Sequence, residues 1–484
     1  MARRRGLDIL SQTVKDALLG ALREPARGAA AADRDTGTPA PGDDARLEGR
    51  AYEGARAIGK TPRSNQFRDL PEMSGIRTQK AVADLLGVAN PFFRIHDGRA
   101  GATTHIDGRE HINFASYNYL GLNGHPDVNA AAKAAIDRYG TSVSASRLVA
   151  GERAIHGELE RHLADFIGVE DAVVFVSGHA TNVGAIGHLM RAKDLILHDA
   201  LIHNSVLVGA ELSGAARRPF AHNDFDALED LLASRRHEHA RCLIAVEGLY
   251  SMDGDHPDLA RLVELRDRYD SWLMVDEAHS LGVLGATGRG LAEELGINPA
   301  AVDIWMGTLS KTLAGCGGYI AGSTALVEYL KFTAPGFVYS VGMPPPVAAA
   351  ATAALALLAA EPERVAKLRA NGRLFVELAR KAGLDIGTSA GFAVVPVMVG
   401  DSLRAVHLAN RLLDRGINVL PIVHPAVPER AARLRFFLTA EHEPEHIKTG
   451  VETLAEEMTR LAQSGFGIKK ALAIAKATRH ANSF

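Results

Sequence analysis

The sequence predicts an α/β fold built on a mainly parallel, seven-stranded sheet, followed by a smaller α+β domain. Two observations indicate the sheet. Several of seven short strand candidates are apolar on both faces, as buried parallel strands should be, and segments with helical periodicity lie between most of them. A third observation, the triplet Pro344-Pro345-Pro346, marks where this alternating pattern ends and the smaller domain begins.

The seven strand candidates occupy the middle of the chain. They are Ala172–Val176, Leu195–His198, Ala216–Phe220, Cys242–Glu247, Trp272–Asp276, Ile304–Gly307 and Gly318–Ala321. Helix candidates in the same region span 127–139, 153–167, 178–191 and 203–213. Ligands of such sheets bind at the C-terminal ends of the strands, so we expect the chemistry in the residues that follow these strands.

We divide the chain into five segments. Residues 1–47 predict an amphipathic helix and a flexible linker, 48–126 a segment with short strands, 127–343 the large domain, 344–464 the small domain and 465–484 a basic tail. Strand candidates outside the large domain are Ala102–Ile106, His111–Phe114, Ala393–Val397, Ile417–Leu420 and Arg433–Leu438. Helices are predicted in the small domain at 347–360, 363–382 and 443–462.

The composition narrows the function classes. Of 484 residues, 47% are hydrophobic, which excludes a disordered chain, and the net charge of −3 gives no reason to expect nucleic-acid binding. The two cysteines, Cys242 and Cys316, lack the paired spacing of a metal site and favour a reducing, cytoplasmic location. We therefore expect no metal centre.

Lys311 is the first candidate for chemistry. It lies in the hydroxyl-rich turn Gly307–Leu313, between two strand candidates, where an ordinary solvated lysine is unexpected. An amine in an enclosed site can lose its proton and attack an aldehyde. Such a lysine is typical of enzymes that bind pyridoxal 5′-phosphate.

Asp276 and His279 follow the strand Trp272–Asp276 and support this interpretation. Asp276 would either cap a turn or pair with the protonated pyridine nitrogen, which keeps the cofactor ring a strong electron sink. His279 would reach the phenolic oxygen of the cofactor. Each residue alone is weak evidence, whereas together with Lys311 they indicate pyridoxal phosphate.

A phosphate site is predicted where the strand Ala172–Val176 ends and a helix begins. Free backbone N–H groups at Gly178 and His179 would bind an anion, with hydroxyl groups added by Thr308 and Ser310. The alternative is an ordinary turn between a strand and a helix.

Five motifs together resemble the α-oxoamine synthase family of fold-type I pyridoxal-phosphate enzymes. They are SGHATN (177–182), DALIHNS (199–205), EGLYSMDGD (247–255), DEAHSLG (276–282) and GTLSKTLAGCGG (307–318). They occur in the order of the family, and the resemblance extends from about Asn90 to Leu461. It implies the fold of the fold-type I transferases and a homodimer with active sites at the subunit interface.

The resemblance also implies a role for each candidate. Lys311 would attach the cofactor and remove the α-proton of the substrate, Asp276 and His279 would contact the ring as above, and His203 would stack over it and meet the substrate. Further cofactor-binding residues would be Gly178, His179, Ser251, Thr308, Ser310 and Ser340, the last reaching the phosphate of the partner subunit. Substrate-binding residues would be Arg435, Tyr117 and Asn118.

A physical argument that does not depend on the resemblance also supports a carboxylate-binding role for Arg435. A planar guanidinium matches the planar carboxylate of an amino acid, and the alternative is an ordinary arginine at the edge of a strand.

These roles predict a decarboxylating condensation of a small amino acid with an acyl thioester, either acyl-CoA or acyl carrier protein, to give an α-amino ketone. The segment Ser116–Gly121 resembles the serine palmitoyltransferase branch, which favours serine and a place in sphingolipid biosynthesis and leaves alanine and glycine open. Activities of the 8-amino-7-oxononanoate synthase or 2-amino-3-ketobutyrate CoA ligase type are the alternatives.

Other functions also stay open at this stage. The same fold and lysine serve pyridoxal-phosphate aminotransferases, and a non-catalytic subunit of a heterodimeric synthase would share the fold without the chemistry. Residues 1–90 would contact an acyl carrier protein, a membrane surface or neither, and the start of the chain also resembles a mitochondrial transit peptide.

Overall fold

The computed structural model describes residues 66–70, 73, 76, 77, 80 and 87–467. The predicted N-terminal helix and linker, and nearly all of the basic tail, therefore lie outside the described residues. The first strands are β1 (Thr103–Ile106) and β2 (Arg109–Asn113), which form an antiparallel hairpin close to the predicted positions.

A seven-stranded sheet forms the centre of the molecule. Its strands are β3 (Asp171–Phe175), β4 (Leu195–Asp199), β5 (Ala216–Phe220), β6 (Cys242–Glu247), β7 (Trp272–Asp276), β8 (Ile304–Thr308) and β9 (Gly318–Gly322). Their order in space is β3-β9-β8-β7-β6-β4-β5. Neighbours from β8 to β5 are parallel, whereas β9 runs antiparallel to both β3 and β8. The prediction of a mainly parallel, seven-stranded sheet is confirmed.

Alternate residues of the central strands enter two separate apolar cores. Ile244 of β6 and Val275 of β7 belong to one core, while Leu243 and Met274 belong to the other. All four side chains are at most 1% exposed. The centre of the sheet is therefore covered on both faces, which explains why its inner strands appear in the sequence as continuous apolar segments, whereas the edge strand β5 is largely exposed and contains two arginines.

Helices connect and cover the strands. They are Pro126–Tyr139, Ala154–Ile167, Gly178–Leu189, Asn204–Ser213, Phe225–Arg235, Leu259–Arg268, Leu291–Leu295, Thr324–Thr333, Pro335–Val338, Pro345–Ala360, Glu363–Lys381, Ser402–Asp414 and Pro444–Ser464. Within the described ranges, no single helix has both the length and the apolar character needed to cross a membrane. Two consecutive helices, Pro345–Ala360 and Glu363–Lys381, satisfy both conditions only as a pair that is bent by 79°.

The C-terminal strands belong to two different sheets. Strands β10 (Val394–Gly400), β12 (Leu420–Ile422) and β13 (Ala432–Phe437) form an antiparallel sheet, whereas β11 (Ile417–Asn418) pairs in parallel with β2. The predicted single strand Ile417–Leu420 is therefore wrong. Asn418 donates a buried 2.9 Å hydrogen bond to the side chain of Asn113, and this pairing separates β11 from β12. It also ties the N-terminal hairpin to the C-terminal part of the chain.

The start of the helix Gly178–Leu189 lies directly against the ends of β8 and β9. A Cβ atom on Gly318 would lie 2.7 Å from the Cα of Gly178, and a Cβ on Gly178 would lie 2.7 Å from Oγ1 of Thr308. Glycine at both positions lets the first N–H groups of the helix approach Thr308.

We predict that Gly318→Ala disrupts this contact, because neither backbone has room for a methyl group. The apparent melting temperature should fall by an amount equivalent to about 1–3 kcal/mol. The control is Gly157→Ala in the helix Ala154–Ile167, where a Cβ meets nothing within 4 Å. That variant should melt at or above the wild-type temperature, since alanine favours helices. Equal melting of both variants would contradict the steric argument.

Candidate active site

The charged groups at the C-terminal edge of the sheet come from adjacent strands. Glu247 ends β6 and is paired in register with Asp276, which ends β7. Lys311 follows β8, in the loop that leads to β9. The two carboxylates act electrostatically on the Lys311 ammonium, as does the guanidinium of Arg435. The parallel strands thus bring residues that are distant in the sequence to one place.

The Lys311 amine has no ion-pair partner among the described carboxylates. Its burial lowers its pKa to about 8, against the opposing effect of Asp276 and Glu247. The Nζ atom lies 5.7 Å from the centroid of the Tyr117 ring. About a tenth of this amine is therefore unprotonated and nucleophilic at pH 7, far more than of an ordinary lysine, as the predicted cofactor attachment requires.

Asp276 is fixed by two hydrogen bonds. Its Oδ2 accepts one from Nδ2 of Asn182 at 2.8 Å, and its Oδ1 accepts one from the backbone N–H of Ala278 at 2.9 Å. The Asn182 amide also donates to Oγ of Ser205 at 2.9 Å. Each carboxylate oxygen keeps a further lone pair, so Asp276 can accept another donor such as a pyridinium N–H.

The imidazole of His279 is buried beside the Tyr119 hydroxyl. Nδ1 lies 2.6 Å from that hydroxyl, and the ring stacks nearly parallel to Phe437 at 6.3 Å. Burial, reinforced by the charges of Lys311 and Arg435, lowers the pKa of His279 well below its ordinary value. A neutral imidazole whose Nδ1 accepts from Tyr119 carries its proton on Nε2, which makes that nitrogen a donor for a phenolic oxygen.

The phosphate site predicted at Gly178 contains backbone N–H groups and hydroxyl groups. The first N–H groups of the helix Gly178–Leu189 have no partner within the helix, and the capping Oγ of Ser177 accepts only from the N–H of Ala180. The hydroxyl of Thr308, which the Gly178 backbone contacts closely, donates to the carbonyl of Gly317 at 2.9 Å and lies 3.2 Å from the hydroxyl and the N–H of Ser310. Amide donors at the start of a helix, together with the neighbouring Ser310 hydroxyl, fit a phosphate group.

His203 and His179 lie on the open side of this region. The His203 ring accepts from the N–H of Ser205 and lies 2.7 Å from the Ser205 hydroxyl, which connects it through Asn182 to Asp276. The His203 and His179 rings are perpendicular, with centroids 6.4 Å apart. Desolvation together with Lys311 lowers the pKa of His203, although Asp276 opposes this effect.

Two neighbouring arginines on β13 differ in their partners. Arg433 forms a 2.6 Å ion pair with Asp253. Arg435 has no carboxylate partner among the described residues; it donates to the carbonyl of Ser251 at 2.8 Å and lies over the Phe437 ring at 4.6 Å. Its Nε is buried without a partner. A desolvated guanidinium with unused donors suits a ligand carboxylate.

Comparisons with known proteins agree with this geometry. The family profile "Aminotransferase class I and II" matches residues 109–454. The chain is 42% identical to the 8-amino-7-oxononanoate synthase of Methylobacterium nodulans (75% of this chain, 90% of the relative) and 42% identical to that of Geobacter sulfurreducens (79% and 96%). The chain belongs to the α-oxoamine synthase family.

A solved structure supports the same assignment. Sphingomonas wittichii serine palmitoyltransferase superposes with a TM-score of 0.76 at 32% identity, over 80% of this chain and 97% of that one. The resemblance to the family and the expected fold-type I architecture are therefore confirmed. The α-oxoamine synthase is a pyridoxal-phosphate-dependent acyltransferase.

The donors described above fit pyridoxal phosphate. The residues that would hold it are Lys311 at the aldehyde, Asp276 at the pyridine nitrogen, His279 at the phenolic oxygen, and the N–H and hydroxyl groups around Gly178 and Thr308 at the phosphate. When bound, the cofactor supplies an electron sink for a carbanion next to the amino group. In the described part of the chain, no group of three or more His, Cys, Asp or Glu side chains could hold a metal ion.

Other predicted site residues have different surroundings. Ser251 contributes its backbone, whose N–H donates to Glu247 and whose carbonyl accepts from Arg435. The Asn118 amide is used by the carbonyl of Ala100 and the N–H of Asn123. Ser340 lies in an exposed segment and donates to the carbonyl of Val341. Their proposed contacts with cofactor or substrate stay predictions.

Sequence reasoning missed Glu247 as a site residue. Its Oε2 accepts from the N–H of Ser251 at 3.0 Å, and its Oε1 is buried without a partner. Burial and the neighbouring Asp276 raise its pKa to about 8, so the carboxyl is mostly protonated at pH 7. Its position at the end of an apolar strand was the available signal, but a glutamate at such a position is also an ordinary feature of strand ends.

We predict that attachment of pyridoxal phosphate to the apoprotein accelerates as the pH rises through about 8. Only the unprotonated Lys311 amine can attack the aldehyde, and its fraction increases tenfold per pH unit below the pKa and then levels off. The rate of the absorbance change on adding the cofactor measures this. Lys311→Ala should abolish the change, whereas Lys331→Ala, at a lysine paired with Glu160, should retain the profile. A rate that climbs unchanged to pH 10 would contradict a lowered pKa.

Proposed function

We propose that this α-oxoamine synthase condenses alanine with the monothioester of a seven-carbon dicarboxylic acid and forms 8-amino-7-oxononanoate. The observation that carries the proposal is the 42% identity, over three quarters of the chain, with relatives of that name. Carbon dioxide and a free thiol would be the other products.

The substrates follow from the structure of the product. In a decarboxylating condensation, the amino acid keeps its α-carbon, amino group and side chain and loses its carboxylate as CO₂. Carbon 8 with its amino group and carbon 9 as a methyl therefore come from alanine. Carbons 1 to 7, with a carboxylate at one end and the ketone at the other, come from the acyl group. The carbon–sulfur bond breaks as the new carbon–carbon bond forms.

The cavity in front of Lys311 supports a short, polar-ended acyl group. It has a volume of about 440 Å³, and its lining combines apolar surface with the polar side chains of Arg99, Ser116 and Asn123. A long alkyl chain would desolvate these groups without giving them hydrogen bonds. A terminal carboxylate, in contrast, would replace part of their hydration. The side chain of Arg99 is 56% exposed and its guanidinium is paired with Glu441 at 2.8 Å, so it can also face a ligand.

Serine with a long-chain acyl thioester is the second candidate. It is favoured by the segment Ser116–Gly121 and by the structural similarity to serine palmitoyltransferase, although the sequence identity there is lower, at 32%. The homodimer and the cytoplasmic location stay predictions. An acyl carrier protein or membrane contact through residues 1–90 also stays a prediction, because most of that segment lies outside the described residues.

The proposal gives each residue of the site a role toward the alanine substrate or the cofactor. Lys311, as a buried amine with a lowered pKa, would remove the α-proton of alanine. Arg435 holds the alanine carboxylate, and His203 covers the cofactor ring from the open side. Asp276 and His279 hold the pyridine nitrogen and the phenolic oxygen as described above.

We predict that the purified holoenzyme releases thiol and CO₂ fastest with alanine and the seven-carbon dicarboxylic thioester. Serine and glycine should replace alanine poorly, and palmitoyl-CoA should replace the dicarboxylic thioester poorly, because the charged side chain of Arg99 lines the cavity. Thiol titration and mass analysis of the product measure this. Faster turnover of serine with palmitoyl-CoA would overturn the choice of substrates, and 2-oxo acid formation would indicate an aminotransferase.

We predict that Arg435→Lys raises KM for alanine more than it lowers kcat. Lysine cannot form the two parallel hydrogen bonds of a guanidinium to a carboxylate, a loss of about 1.5–3 kcal/mol, or roughly 10- to 100-fold in binding. Steady-state kinetics with varied alanine measure the effect. Arg430→Lys, at an exposed arginine in the turn before β13, is the control and should leave KM unchanged. An unchanged KM in Arg435→Lys would assign the carboxylate to another residue.

A further inference from the structure

His222 lies between two carboxylates at the C-terminal edge of the sheet. Its Nδ1 is 3.0 Å from Oδ1 of Asp199, and its Nε2 is 3.2 Å from Oδ2 of Asp255. Each ring nitrogen faces a carboxylate, and Nε2 also lies 3.4 Å from Nδ2 of Asn223. The two carboxylate acceptors favour a proton on both nitrogens, which makes the imidazole a cation. In agreement, the two carboxylates raise the pKa of His222 to about 10 against the effect of burial. The edge of the ring contacts Tyr250, at 4.5 Å between centroids.

Asp199 connects this cation to the segment that carries His203. The Asp199 carboxylate is fully buried and accepts from the N–H of Leu201 at 2.8 Å. Leu201 precedes His203 by two residues, in the turn between β4 and the helix Asn204–Ser213. The second oxygen of Asp199 accepts from the N–H of Asn223 at 2.9 Å. Asp199 therefore fixes the direction in which this turn presents His203.

Asp255 connects the same cation to the loop that supports Arg435. The carbonyl of Asp255 accepts from the N–H of Tyr250 at 2.8 Å, which closes the loop 250–255. Within this loop, the carbonyl of Ser251 accepts from Arg435. The Asp255 carboxylate also accepts a 2.7 Å hydrogen bond from Thr388, which lies in the C-terminal part of the chain.

The loop 250–255 is held closely against that part of the chain. A Cβ atom on Gly254 would lie 2.1 Å from the carbonyl oxygen of Val394, and Gly254 accepts from the N–H of Ala390 at 3.1 Å. The loop 250–255 therefore has little room to move where it packs against Ala390 and Val394. Its other fixed point is the ion pair between Asp255 and His222.

We propose that His222 is a positioning residue that sets the loop of His203 and the loop of Arg435 relative to each other. One cation neutralises two carboxylates, one at the end of β4 and one in the loop 250–255, and without it the two aspartates would repel each other in a partly buried place. His222 touches neither cofactor nor substrate in this proposal. It acts through Asp199 and Asp255 on the two side chains that face the amino acid.

The proposal rests on the proposed role of Arg435, but not on the identity of the acyl donor. The test is therefore an alanine titration of the holoenzyme, without acyl donor, followed by the visible absorbance of the bound cofactor. We expect His222→Gln, which removes the charge, to raise the apparent dissociation constant of alanine at least about tenfold. We expect His222→Lys, which restores a cation between the carboxylates, to return it to within about threefold of the wild type.

The controls separate positioning from general stability. His237→Gln, at an exposed histidine, should match the wild type. Melting temperatures are measured in parallel, because a purely structural role would lower the melting temperature and leave the alanine constant unchanged. An alanine constant within about twofold of the wild type in His222→Gln would overturn the proposal, as would equal losses in the Gln and Lys variants.

Two other results, a His222→Gln variant that does not fold and a different amino-acid substrate, can be told apart from failure of the proposal. If His222→Gln gives no folded holoenzyme, Thr388→Val decides, since it removes one hydrogen bond to Asp255 at an exposed residue. A rise of about threefold or more in the alanine constant would support the proposal, and no rise would overturn it. If serine or glycine rather than alanine changes the absorbance, the proposed substrate is wrong and the same series is titrated with that amino acid.

Discussion

The structure depends on the fact that parallel strands end at the same edge of a sheet. Strands β4, β6, β7 and β8 deliver Asp199, Glu247, Asp276 and the loop of Lys311 to one edge, although more than 100 positions separate the first from the last. Burying these charges together is unfavourable unless each has a partner or loses its charge. Both cases are present. Asp199 is paired with His222, Glu247 is mostly protonated at neutral pH, and Lys311 has a lowered pKa.

This constraint explains how much the sequence could predict. The central strands were predicted to within one residue at each end, because burial on both faces gives a continuous apolar pattern that does not depend on distant partners. Lys311, Asp276 and His279 stood out as a set, because an amine, a carboxylate and an imidazole next to buried strands match the groups that pyridoxal phosphate needs. The helices Phe225–Arg235, Leu259–Arg268 and Ser402–Asp414 were not specified individually.

What the sequence could not predict depends on contacts between distant segments. The division of 417–422 into two strands follows from the pairing of Asn418 with Asn113, about 300 positions earlier in the chain. The hydrogen bonds that join Ser205 to Asn182 and Asn182 to Asp276 depend on how two helices pack against the end of β7. A sequence pattern does not contain that information. The contacts of the segment Ser116–Gly121 are of the same kind, since the Asn118 amide donates to the carbonyl of Ala100 and the Tyr119 hydroxyl lies against His279, 160 positions later in the chain.

The most direct test of the central claim is to identify the lysine that binds the cofactor. Reduction of the holoenzyme with borohydride makes the carbon–nitrogen bond between cofactor and lysine permanent, and peptide mass analysis then locates it. The account predicts one modified peptide, containing Lys311, and none when that residue is replaced by alanine. A modification on another lysine, or the absence of any modified peptide from a holoenzyme that contains pyridoxal phosphate, would contradict the account.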